Sequence, residues 1–145
     1  MEIATIGFTQ SSAEHFFERL RRAGVKRLLD IRLNNVSQLA GFAKGKDLAF
    51  FAREILGATY EHDLRLAPTQ AMLDAYRKDR KSWSWYERTF LDLMEDRGVP
   101  ACLDPAPFRE RKTALLCSEA TAQRCHRRLV AETLVDAWGA DVEHL

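Results

Sequence analysis

The chain has 145 residues, the size of one domain with a sizeable buried core, and residues 1–145 are treated as a single domain. Hydrophobic residues make up 46% and charged residues 30%, and no apolar run approaches the roughly 20 residues that span a bilayer. Three cysteines are too few for a disulfide scaffold and "MEIATIGF" lacks an export signal, so we expect a cytoplasmic protein without membrane contact. A net charge of +1 gives no global attraction to nucleic acid.

The predicted elements alternate between strands and helices. Short apolar runs without helical spacing predict strands, and apolar residues three and four positions apart predict helices. The first half contains a strand at 3–8, a helix capped by Ser11 and Glu14 and stopped by Gly24, a strand at 25–32, a long loop at 33–45, a helix at 46–56 and a strand at 59–62. The second half contains a helix from Thr69 to about Lys81, a helix from about Trp85 to Arg97, a strand at 113–117, a helix at 121–138 and a strand at 141–145.

This alternation predicts an α/β fold of Rossmann-like type. Right-handed crossovers would give one three-layer domain, with a mainly parallel sheet of about five strands flanked by helices. Ligands bind such sheets beyond the carboxyl ends of the strands, where the loops converge. That rule gathers residues 8–12, 30–42, 62–68 and 117–124 at one edge, and most of the reactive side chains lie in these windows.

Cys117 closes the fourth predicted strand. An unbonded cysteine at the end of an apolar strand is usually packed in the core, and the alternative is a thiolate stabilised by arginine and a helix N-terminus. Ser118 or Thr121 could cap the last helix and leave an anion site at its N-terminus, with Glu119 as an acid–base group. A phosphatase-type loop is disfavoured, because Gln123 stands where that loop requires arginine, six positions after the cysteine.

The helical wheel turns His126 toward the sheet. At about 3.6 residues per turn it lies near the centre of the apolar stripe of the last helix, as a core histidine or as a ligand-binding or catalytic one. Arg127 flanks the stripe and is predicted to reach over the pocket, whereas Arg128 points outward. A metal site of Cys117, Cys125 and His126 is disfavoured, because seven residues separate the thiols and no C-x-x-C motif is present. The sequence therefore predicts no metal ligand.

Asp30 and Arg32 stand two positions apart near the end of the second strand, so they share one face of the sheet. They could form a local ion pair that braces the following loop. Alternatively, Arg32 could hold an anionic ligand while Asp30 orients the ligand or the arginine. Thr9 ends the first strand at the same edge.

Six short motifs, spread in order over nearly the whole chain, resemble the domain-of-unknown-function family 488 (DUF488). They are "TIGF" (5–8), "LLDIR" (28–32), "TYEH" (59–62), "ALLCSE" (114–119), "CHR" (125–127) and "VEHL" (142–145), of which the C-S-E…C-H-R pairing is the most specific. The resemblance implies a small cytoplasmic α/β domain of bacterial type, with a pocket lined by Asp30, Arg32, Cys117, Glu119, Cys125, His126 and Arg127. The sequence departs from the family pattern at Phe8, Thr9 and Gln38, where the family usually has histidine, serine and arginine.

These features predict a small enzyme or anion-binding domain whose ligand carries a phosphate, such as a nucleotide or a nucleic-acid end. The predicted binding residues are Thr9, Asp30, Arg32, Ser118, Cys125 and Arg127, and the predicted catalytic residues are Cys117, Glu119 and His126. Two alternatives stay open. One is a nucleic-acid- or protein-binding module that uses the basic clusters and stacks a base on Trp83. The other is a thiol-based redox or sulfur-transfer protein that uses Cys117 and Cys125. The sequence names no cofactor and no oligomeric state.

Overall fold

A five-stranded sheet with parallel pairing throughout forms the centre of the molecule, in a computed structural model that describes residues 1–36 and 40–145. The strands are β1 (Glu2–Gly7), β2 (Arg27–Asp30), β3 (Thr59–His62), β4 (Thr113–Cys117) and β5 (Asp141–His144), in the order β3-β2-β4-β1-β5. Gly7 pairs with Cys117 and Asp30 with Leu116, so the carboxyl ends of the three central strands meet at one edge. The predicted α/β class is confirmed.

Helices cover both faces of the sheet. Among the described residues these are α1 (Ala13–Arg22), α2 (Gly45–Phe51), α3 (Gln70–Arg77), α4 (Trp83–Asp96), α5 (Ala106–Glu110) and α6 (His126–Trp138), with a π-helical turn at Ala52–Leu56 and 3₁₀ turns at Gly41–Ala43 and Leu64–Leu66. None of these described helices combines the length and the apolar character that crossing a membrane requires.

The central strands are buried on both sides, which explains why most of their residues are hydrophobic. Residues of β1, β2 and β4 alternate between two core clusters. Leu28 and Leu116 pack with α1 and α2 on one face, whereas Leu29 and Leu115 pack with α4 and α6 on the other. The result is a three-layer arrangement with a helix layer on each side of the sheet.

The last helix begins later than the sequence predicts. Its first residue is His126 and its N-cap residue is Cys125, whose side chain makes no capping hydrogen bond. The predicted capping by Ser118 or Thr121 is therefore wrong, and residues 118–125 form a loop. Polar residues after a strand have the sequence pattern of a helix N-cap, but here a loop of several residues precedes the helix.

Two smaller features of the helices also differ from the predictions. Ser12 rather than Ser11 caps α1, because the Ser12 hydroxyl oxygen accepts a hydrogen bond from the amide of His15. The sequence does not predict α5, which lies in a segment whose prolines suggest irregular structure. Proline fits the first turn of a helix, where the amide has no intrahelical partner, and this explains how the short helix forms. The family departure at Gln38 lies outside the described residues.

Candidate functional site

A cleft of about 310 Å³ opens at the carboxyl edge of the sheet, in the size range of small-ligand sites. The chain leaves β2 toward β3 through α2 on one face, and leaves β4 toward β5 through α6 on the other. Because these two connections run on opposite faces of the sheet, the loops that follow β2 and β4 are separated. Ligands of α/β sheets bind where neighbouring loops separate in this way. The cleft is walled by the loops after β1, β2 and β4 and by side chains of α3 and α4.

Most of the predicted site residues come together here. Those that line the cleft are Thr9, Arg32, Cys117, Ser118, Glu119, Cys125 and His126. Asp30 does not line the cleft but forms a salt bridge with Arg32, which does. Arg127 does not line it either. The structure therefore gathers most of the predicted residues at the predicted edge of the sheet, and Arg127 lies away from the cleft.

Two thiols and an imidazole lie side by side at the cleft. Cys117 ends β4, and Cys125 and His126 start α6, so the 118–125 loop folds the second thiol back onto the first. The sulfur of Cys117 lies 3.5 Å from Nδ1 of His126. The two sulfur atoms and one ring nitrogen of His126 all lie within 4.8 Å of one another, and all three residues are buried. This donor set is the one group in the described chain that combines two sulfurs with an imidazole.

His126 is held in a defined orientation. Its Nε2 lies 2.8 Å from the backbone oxygen of Ile31, and since a carbonyl oxygen can only accept, Nε2 donates this hydrogen bond. The ring also packs against Phe90, with ring centroids 5.3 Å apart. In a neutral imidazole, the proton on Nε2 leaves a lone pair on Nδ1, the atom that faces the Cys117 sulfur. The helical wheel predicted this inward direction correctly.

The three side chains of the cluster shift one another's pKa values. A hydrogen bond from Cys125 and the adjacent His126 imidazole hold the pKa of the Cys117 thiol well below its usual range, against the effect of burial. Burial, together with the bond to Cys117, raises the pKa of the Cys125 thiol well above its usual range. Burial opposes a charge on His126, but the Cys117 sulfur raises the pKa of this imidazole nonetheless.

Arg32 is fixed by a buried ion pair. Its Nε and Nη2 donate to the two carboxylate oxygens of Asp30 at 2.9 and 2.7 Å. Nη2 also donates to the backbone oxygen of Ala43, and the Tyr60 hydroxyl donates to Asp30. Burial and the Asp30 carboxylate raise the pKa of Tyr60, so its hydroxyl stays protonated as a donor. Both predicted roles of the pair are therefore compatible, because Asp30 orients an arginine that faces the cleft.

One nitrogen of this guanidinium has no partner. Nη1 of Arg32 is buried and makes no hydrogen bond within the described part of the chain. A buried donor without a partner costs about 1–3 kcal/mol, because it has lost its water and gained nothing in exchange. Arg32 lines the cleft, so this unpartnered donor belongs to a side chain at the cleft wall.

The structure corrects the prediction for Arg127. The side chain is fully buried, and Nη1 donates to the backbone oxygen of Glu119 beneath the 118–125 loop. Arg127 lies in the first turn of α6 and points into the core rather than over the cleft. Gly7 makes room for this packing, since a β-carbon at that position would overlap the Glu119 carbonyl and the Arg127 guanidinium. Arg127 therefore anchors the loop from below.

Arg124, rather than Arg127, occupies the predicted arginine position at the cleft. It lies in the 118–125 loop, it is exposed, and it lines the cleft. Its position follows from the late start of α6, which leaves Arg124 on the loop instead of on the helix. On the opposite wall, Arg77 at the end of α3 adds a second exposed guanidinium.

An aromatic wall completes the cleft. Trp83 and Tyr86 of α4 have ring centroids 5.3 Å apart and an angle of 21° between their planes, and Tyr76 of α3 packs 5.0 Å from Tyr86. All three rings line the cleft. The sequence singles out Trp83 as a stacking residue but not Tyr76, because periodicity shows which residues share a helix face and not where that face points.

The family comparison agrees with the motifs quoted above. The family model described as "Domain of unknown function DUF488" matches residues 12–134, from the start of α1 into α6. The match includes Arg32, Cys117, Cys125 and His126. No curated protein and no solved structure matches the chain.

Proposed function

The chain belongs to the DUF488 family, and from the geometry of its cleft we propose that it binds a small phosphate-bearing ligand of nucleotide type. The observation that carries the proposal is the charge of the cleft wall. Arg32, Arg77 and Arg124 line it, against the single carboxylate of Glu119. Asp30 neutralises Arg32, so the net attraction for an anion comes from Arg77 and Arg124, which are solvent-exposed.

Arg32 has a different part in this proposal. Its charge is already paired, but the unpartnered Nη1 is a fixed and desolvated donor. A phosphate oxygen is the acceptor that a guanidinium binds most strongly, through a charge-assisted hydrogen bond. Arg32 would therefore orient the phosphate, whereas Arg77 and Arg124 would attract it.

The aromatic wall favours a ligand that also carries a flat ring. Trp83 and Tyr86 stack on each other, and both residues line the cleft that also holds the arginines. A base stacked on an aromatic side chain contributes about 1–3 kcal/mol. A molecule that carries both a phosphate and a base is a nucleotide. The cleft volume suits one nucleotide rather than a long nucleic-acid strand.

The thiols, the imidazole and a carboxyl group line the same cleft as the arginines. Cys117, Cys125 and His126 line the cleft, and Glu119 provides a carboxyl group at its rim. The site would therefore have the components of an enzyme as well as of a binding domain. The thiol-based alternative stays a prediction, since two neighbouring sulfur atoms suit either a disulfide or a shared metal ion.

The test is calorimetric titration with AMP, adenosine and inorganic phosphate. We expect AMP to bind more tightly than either of its parts. Arg124→Gln should weaken AMP binding about 10-fold, the effect of about 1.4 kcal/mol from one charge-assisted hydrogen bond. Trp83→Ala should weaken AMP binding and leave phosphate binding unchanged. The matched control is Arg88→Gln, which removes an exposed arginine of α4 that does not line the cleft.

Two results would count against the proposal. One is equal affinity of wild type and Arg124→Gln for AMP. The other is tighter binding of a single-stranded oligonucleotide than of AMP with a steep loss of affinity in salt, which would favour a nucleic-acid-binding module.

A further inference from the structure

Two thiols and an imidazole that share one buried corner of the cleft require an explanation beyond anion binding. We propose that Cys117, Cys125 and His126 are three ligands of a zinc-type divalent metal ion, and that the fourth coordination position of this ion opens into the cleft. The proposal goes beyond the binding of a phosphate-bearing ligand and does not depend on it.

The donor atoms have the spacing of a tetrahedral site. Zn–S bonds of about 2.3 Å and Zn–N bonds of about 2.0–2.1 Å place a sulfur and a nitrogen about 3.6 Å apart, and two sulfurs about 3.8 Å apart. The Cys117 sulfur and His126 Nδ1 are 3.5 Å apart, and the remaining donor pairs are within 4.8 Å. An adjustment of about 1 Å at most would therefore bring all three donors into bonding distance.

The imidazole is oriented as a ligand. Metal-binding histidines generally donate their second ring N–H to a carboxylate or a backbone carbonyl, which fixes the ring and leaves the other nitrogen free for the ion. His126 does this through Nε2 and the Ile31 carbonyl, so Nδ1 faces the sulfur atoms. A disulfide would use both sulfurs but would give no role to this third donor.

The metal class follows from the ligand types. Thiolate and imidazole suit zinc, whereas magnesium and calcium prefer oxygen ligands. Two thiolates and one divalent ion leave no net charge in the buried site. Three protein ligands with a fourth position left open are the arrangement of catalytic zinc sites. Here the open position follows from the fact that all three ligand residues line the cleft.

The test is titration of the reduced, metal-free protein with Co²⁺, followed by displacement with Zn²⁺. We expect one Co²⁺ per chain, with the visible absorption of a tetrahedral site that contains thiolate ligands, and its loss on addition of one equivalent of Zn²⁺. Cys117→Ser and Cys125→Ser should each weaken binding by about 100-fold or more, above the usual effect of losing an outer partner of a ligand. Cys102→Ser is the matched control, because Cys102 is the exposed free cysteine.

A measurement on the wild type covers the case in which the serine variants do not fold. Zn²⁺ should protect Cys117 and Cys125 from alkylation and leave Cys102 reactive. The proposal is overturned if Co²⁺ gives no tetrahedral absorption, if Cys117→Ser binds like the wild type, or if Zn²⁺ protects no thiol.

Azide tests the open position separately. Altered cobalt absorption on its addition supports an open position, and unaltered absorption overturns that part.

Discussion

Asp30→Asn should lower the free energy of unfolding by about 3–5 kcal/mol, the cost of removing one partner of a buried ion pair. The Asp30 side chain is fully buried and that of Arg32 is 3% exposed. The carboxylate accepts two hydrogen bonds from the guanidinium, one from the Arg32 amide and one from Tyr60. Asparagine keeps the shape of the side chain but removes its charge, so the guanidinium stays buried without a counterion.

A double-mutant cycle separates the pair from the packing around it. Arg32→Met should also destabilise the protein, because it leaves the Asp30 carboxylate unpaired. The double variant removes both charges, so its loss should be smaller than the sum of the single losses by about 1–3 kcal/mol. Glu54→Gln is the control, since the Arg53–Glu54 pair is exposed and such pairs contribute about 1 kcal/mol or less.

The assay is urea unfolding at about pH 7, followed by tryptophan fluorescence and circular dichroism. Equal slopes of free energy against urea would show that the variants unfold as the wild type does. A loss below about 1 kcal/mol in Asp30→Asn, or additive losses in the double variant, would refute the view that this pair fixes Arg32 at the cleft.

Two further substitutions test the supports of the site. Gly7→Ala should lower stability by about 1–3 kcal/mol, since the new methyl group overlaps the Glu119 carbonyl and the Arg127 guanidinium. Thermal unfolding checks this prediction. Gly41→Ala is the control, since its added methyl group meets no atom of the described residues within 4 Å and should have little effect. Equal losses in the two variants would contradict the packing described. Tyr60→Phe should cost about 1.5–3 kcal/mol in urea unfolding, because its hydroxyl donates to a charged group. A loss no larger than that of Tyr76→Phe, whose hydroxyl makes no hydrogen bond within the described residues, would argue against this contact.

The sheet, and the edge at which the candidate site residues gather, were accessible from the sequence because buried parallel strands have a simple pattern. The run at 113–117 is apolar from Ala114 to Cys117, is flanked by polar residues and is buried throughout, and β4 has those limits. Two side chains separated by one residue on a strand must share a face, so the Asp30–Arg32 pair could be inferred before its geometry was known.

The start of α6 was less accessible, and the placement of Arg124 depends on it. Ser118 and Thr121 look like capping residues, but Cys125 occupies the N-cap position without a side-chain hydrogen bond. Moving the helix start to His126 transfers Arg124 to the loop, whereas Arg127 keeps its angle to His126 and its side chain is buried in the core. The wheel still placed His126 correctly, because the angle between residues within a helix does not depend on where that helix begins.

The contacts within the cleft depend on how separate elements meet. Seven residues between Cys117 and Cys125 argue against a shared metal site in sequence, yet the 118–125 loop brings both sulfurs and a His126 nitrogen within 4.8 Å. The aromatic wall likewise needs α3 and α4 to approach the sheet edge together, which brings Tyr76 to Tyr86 and Trp83. Periodicity within one element contains no information about such distances.

The most direct test of the central claim is a crystal structure of the protein grown with AMP. The account predicts the phosphate within hydrogen-bonding distance of Arg32 Nη1 and of Arg124, with the base stacked on Trp83. An empty cleft at saturating AMP, or AMP bound elsewhere on the protein, would contradict it.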